Sequence, residues 1–110
     1  MIEQYIKLAE LHAMTDYSDD AEVACANRAA NEMIEIAKSV GSKVTLEEFA
    51  TLLEHQVAKK WAAHHLIEVI GITDSLLEKS LNTIREVADS NDPDSFGEKM
   101  WLEHWEAENT

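Results

Sequence analysis

Leu52-Leu53-Glu54-His55-Gln56-Val57-Ala58-Lys59-Lys60-Trp61-Ala62-Ala63-His64-His65-Leu66 is the stretch that decides the fold. Two leucines, small alanines, a tryptophan and paired histidines recur here at helical spacing. The run therefore reads as the packed centre of a helix pair, not as a reaction centre. Neither Gly nor Pro interrupts Glu54 to Val57. One helix from Thr45 to Ile70 and two helices with a turn near His55–Val57 both fit the pattern.

Outward from this centre the chain keeps the same period. Ile2, Tyr5, Ile6, Ala9 and Ala13 form a stripe that predicts a helix over 2–14. The polar turn Asp16 to Asp20 follows, with Ser18 or Asp19 placed to cap a helix running to about Val40. Cys25, Ala29, Met33, Ile36, Ala37 and Val40 make its apolar face, and Gly41 has the character of a residue just past a helix end. Thr45-Leu46-Glu47-Glu48 matches a capping box. Beyond Gly71, Thr73 or Asp74 opens a helix carrying Leu76, Leu77, Leu81, Ile84 and Val87. A loop over 89–95, with Pro93 suited to a first helical turn, leads to a last helix holding Phe96, Met100, Trp101, Leu102 and Trp105. The expectation is a single all-α domain over 1–110, with five to six antiparallel helices joined by short connections.

Bulk properties narrow the function classes. Twenty-two acidic residues against nine Lys and Arg give a net charge of −13 over 110 residues. Phosphate backbones and anionic lipid surfaces are held by Lys and Arg, so direct nucleic-acid or membrane partners are disfavoured. A basic protein surface is the natural complement. The first apolar run carries Glu3 and Lys7 and lacks a basic start, unlike a secretory signal, and no apolar run has bilayer length. The single Cys25, set among Val23, Ala24 and Ala26, reads as a buried inert thiol suited to a reducing, cytoplasmic compartment.

Candidate chemistry is sparse. His64 and His65 are adjacent and point about 100° apart on a helix, so a shared metal is disfavoured. His65 falls on the face of Trp61, Ala62 and Val69, where a hydrogen-bonded packing role is expected, with His64 at that face's edge. His12, His55 and His104 lie on other segments with no ligand spacing. Neither a Gly-x-Ser-x-Gly elbow nor a glycine-rich phosphate loop occurs. The expectation is a non-enzyme with no metal, cofactor or catalytic residue. Trp61 reads as a core anchor. Trp101 and Trp105, four apart on one face, suit capping of a helical stack or a partner interface.

Asn27-Arg28, Leu52-Leu53 with His55, Trp61-Ala62-Ala63-His64-His65-Leu66, and Met100 to Trp105 together resemble a group of small bacterial proteins with a HEAT-like helical fold and no assigned function. The resemblance spans about residues 3 to 106. It departs where that family has a Pro-containing turn and a Val-Arg pair; Gln56-Val57 and Ala58-Lys59 stand there instead. It implies a short α–α superhelix and carries no catalytic residue.

Two functions fit this reading. One is an acidic module that neutralises a basic partner, such as an immunity protein blocking a bacterial toxin domain, for example a nuclease. Asp16, Asp19, Asp20 and Glu22, with Asp89, Asp92 and Asp94, are its candidate contacts. The other is a HEAT-like structural or regulatory adaptor presenting a groove to a protein. In either case a monomer or weak homodimer is expected.

Overall fold

The computed structural model describes residues 1–109. Its elements are α1 (Ile2–Ala13), α2 (Asp20–Lys38), α3 (Lys43–Ala50) with a 3-10 turn over Thr51–Glu54, α4 (Lys59–His65) continuing as a π turn over Leu66–Ile70, α5 (Asp74–Ala88) and α6 (Ser95–Glu108). The protein is all-helical, with no strand among the described residues. Helices adjacent in sequence pack on each other, α1 on α2, α4 on α5 and α5 on α6, and α2 also meets the π turn.

The chain turns near His55 instead of running straight through. His55 is extended (φ −91°, ψ 126°), and its Nδ1 accepts the backbone N–H groups of Val57 and Ala58 at 3.2 and 3.1 Å. An imidazole thus does what Asp or Ser does at most helix starts, satisfying donors that have no carbonyl partner. The turn forms without a proline. At the other end Gly71 adopts a left-handed conformation (φ 77°, ψ 53°), and its N–H and that of Ile72 both reach Leu66 O. Glycine alone takes this conformation without a Cβ penalty.

Three local expectations are corrected. The helix after residue 41 begins at Lys43, one turn's edge earlier than Thr45. Its capping box is Ser42 with Thr45, because the Thr45 hydroxyl accepts the Ser42 N–H while Ser42 Oγ accepts the Thr45 N–H. Gly41 is not a left-handed cap. α2 closes at Ser39 in a right-handed turn, where the Ser39 hydroxyl donates to Ile36 O at 2.6 Å. Cys25 is exposed, because the buried stripe of α2 runs through Ala26, Ala29, Met33 and Ala37, about 100° away around the helix. Arg28, one turn on, donates to its Sγ at 3.0 Å.

The core joins α1, α2, the 51–54 turn and α4 through Tyr5, Ala9, Met33, Ala37, Phe49, Leu52, Leu53, Ala62, Ala63 and Leu66, with Ile84 entering from α5. Alanines on α1, α2 and α4 permit close helix approach around three large residues, Tyr5, Phe49 and Met33, all fully buried. Tyr5 meets the edge of Phe49 with ring centroids 5.1 Å apart. α6 differs in kind, since none of its residues is fully buried and Phe96 and Met100 stay 72% and 55% exposed.

Candidate functional site

The adjacent histidines of α4 divide the molecule. His65 turns inward, and its Nδ1 lies 2.6 Å from the Tyr5 hydroxyl. Burial lowers the imidazole to about 4, with His64 adding to the fall and Glu68 opposing it, and burial also raises the Tyr5 phenol. Both partners are neutral near pH 7, and the phenol is the natural donor. His65 is a packing residue, as its helical face predicts.

His64 turns the other way, toward α6. Its Nε2 lies 2.8 and 3.0 Å from the two Glu98 carboxylate oxygens, and its Nδ1 lies 3.7 Å from Glu68. The edge of Trp101 meets the imidazole at 4.7 Å between centroids, and the Trp101 indole N–H donates to Glu68. One turn before His64, the Lys60 ammonium bonds Asp92 at 3.2 Å and Asp94 at 2.6 Å. Lys60, His64 and Glu68 stand at i, i+4 and i+8, so they form a polar ladder up one face of α4. Burial works to lower the Lys60 ammonium, but the hydrogen bonds and charges of Asp94 and Asp92 outweigh it and raise it. The Asp94 backbone N–H holds the Asp92 carboxyl below its ordinary range, burial opposes this, and Lys60 adds to the lowering. This ladder ties α6 and its leading loop to α4.

Between the ladder and the end of α1 lies an open groove of ≈ 890 Å³. One wall is His12, Ala13 and Tyr17, the floor is the α4 face from Gln56 to Glu68, and the other wall is Asp92 to Asp94 with Glu98 and Trp101. Trp61 lines the floor half-buried, not as an enclosed core anchor, and His12 meets its ring at 4.7 Å. Formal charges along the lining are Lys60 against Glu68, Asp92, Asp94 and Glu98, so the groove is net acidic with His neutral.

The acidic residues singled out from sequence fall into distinct roles. Asp92 and Asp94 line the groove, though Lys60 engages both. Asp19 caps α2 by accepting the Ala21 and Glu22 N–H groups, and Glu22 accepts the Asp16 N–H. The Asp16 carboxyl is lowered by hydrogen bonds from the Ser18 hydroxyl and backbone. Tyr17 reaches the groove, but its sequence neighbours Asp16, Asp19, Asp20 and Glu22 are exposed outside its lining, and Asp89 is exposed at the end of α5. Sequence reasoning did not single out Glu68, Glu98, Lys60 or Tyr17. The i, i+4, i+8 spacing of 60, 64 and 68 was the available signal for Lys60 and Glu68.

Chemically the ladder is a fastening. His64 Nε2 is hydrogen-bonded to the Glu98 carboxylate, while Glu68 lies 3.7 Å from Nδ1. Among the described residues no group of three His, Cys, Asp or Glu is arranged to hold a metal ion, and no helix is long and apolar enough to cross a membrane. No family model, curated protein or solved structure matches the chain.

Proposed function

We propose that this chain is a non-catalytic, acidic protein-binding module, and most specifically an immunity protein that neutralises a basic toxin domain. One observation carries the reading: nine Lys and Arg face twenty-two carboxylates, so most negative charge is left for a partner. A nuclease cleft must attract phosphate and is electropositive, and an acidic surface complements and occludes it. The open groove, with Asp92, Asp94 and Glu98 on one rim and Glu68 on its floor, offers that surface. The HEAT-like resemblance suits such a role, because stacked helix pairs present concave surfaces without chemistry. Co-expression with the toxin encoded beside this gene tests it. Growth should be restored and a complex should copurify; continued growth arrest with no complex defeats the reading.

The groove also favours a second reading, a structural or regulatory adaptor. Salt separates the two. Immunity by charge complementarity weakens steeply with ionic strength and loses on-rate, whereas seating of an apolar segment is far less sensitive.

A further inference from the structure

The geometry points to a specific occupant: we propose that the groove receives an arginine side chain on a basic segment of the protein partner. This rests on the acidic-module reading and assigns it a place.

Three observations converge. First, the groove is aromatic as well as acidic, with Tyr17 on one rim, Trp61 on the floor and Trp101 on the opposite rim. Indole and phenol faces attract cations, and a planar guanidinium stacks on them better than an ammonium does. Second, one half of the groove holds polar groups whose hydrogen-bonding capacity is unused among the described residues: Gln56, Trp61, Tyr17 and His12 make no side-chain hydrogen bond there, and the rings of Tyr17 and Trp61 each meet that of His12. Third, the carboxylates in reach are not saturated. Glu68 is 52% exposed, holds the Trp101 indole N–H, and lies 3.7 Å from His64 Nδ1. Asp94 is 60% exposed beyond its Lys60 contact.

An anionic ligand would meet this excess of carboxylates unfavourably, so phosphate and carboxylate ligands are disfavoured. A lone cation would leave the groove mostly empty, since its volume suits a length of chain. An arginine uses the aromatic and acidic features together, its guanidinium lying against an aromatic face and donating in a fork to Glu68.

Titration with acetylated, amidated hexa-arginine tests this, with hexalysine as the matched cation. The readouts are calorimetry at low salt and the indole N–H resonances of the three tryptophans. Hexa-arginine is expected to bind about fivefold tighter than hexalysine and to move the Trp61 resonance most. Glu68→Gln and Tyr17→Ser, both at exposed positions, should each weaken it about tenfold. The double variant Glu32→Gln/Glu86→Gln removes more charge from exposed sites outside the groove and should change affinity less than about twofold. Equal affinity for both peptides, or equal losses inside and outside the groove, overturns the arginine site while leaving the acidic-module reading standing. Absence of binding by either peptide overturns both.

Discussion

His64 and His65 are neighbours in sequence, yet they belong to opposite kinds of structure. His65 looks into a dry junction of α1 and α4, fixed by Tyr5 and surrounded by fully buried side chains. His64 looks out to α6, a helix with no fully buried residue, fixed through carboxylates and indole edges. The body is held by removal of apolar surface from water, whereas α6 joins half-buried packing of Trp101 and Leu102 to polar ties that water and salt contest. The lesson is that helical content alone conceals where stability resides. α1 to α5 form the body, and α6 is fastened to it.

Deletion of core volume should separate the halves most sharply. Phe49→Ala is expected to cost about 3–5 kcal/mol, read from urea unfolding, while Trp105→Ala on half-buried α6 should cost about 1 kcal/mol or less. Similar losses would erase the distinction.

Acid should act on the buried histidine next. An unfolded histidine protonates near 6.5, whereas His65 in the fold stays neutral down to about 4. Between those values the unfolded chain takes a proton that the folded chain refuses, so stability falls as pH drops through this window. The full loss is roughly 3 kcal/mol, measurable as a falling urea midpoint between pH 7 and pH 4. His65→Gln should flatten that slope. Asp92, lowered in the fold, contributes stability that is lost only at still lower pH, below its ordinary carboxylate value.

Much of this division was legible beforehand. The divergence of His64 and His65 by about 100° follows from helical geometry, and burial of Leu52, Leu53, Ala62, Ala63 and Leu66 follows from spacing. The turn at His55 was not legible, because its cap is a histidine nitrogen and histidine carries no turn signature. Cys25 was misplaced by a single helical position, since the alanine-rich α2 gives no sharp apolar boundary. The ladder pairs residues more than thirty apart in sequence, and local pattern says nothing of such partners.

Smaller effects probe the turn that leads into α5 and the ties that fasten α6. Gly71→Ala places a Cβ in open space but at φ 77°, so its cost is backbone strain alone, about 1 kcal/mol. Thermal unfolding would detect it, and an unchanged midpoint would show that the turn relaxes. Lys60→Met removes the ties to Asp92 and Asp94 at a cost of about 0.5–1 kcal/mol. Hydrogen exchange should then speed up in α6 with α4 unchanged. Uniform acceleration would mean that α6 and the body open together.

The wide turn over Leu66–Ile70 has a consequence for the permitted length of this chain. A π turn holds one residue more than an α turn over the same hydrogen-bonded span. Deleting one residue there would let the segment close as an ordinary α turn over the same span, leaving Gly71 and α5 near their present phase, with Ile84 in the core and Glu98 beside His64. A deletion earlier in α4 has no spare residue to draw on and would turn everything after it by about 100° around the helix axis. The wide turn is therefore slack in the chain, a place where this helix can shorten by one residue without changing the phase between its two ends.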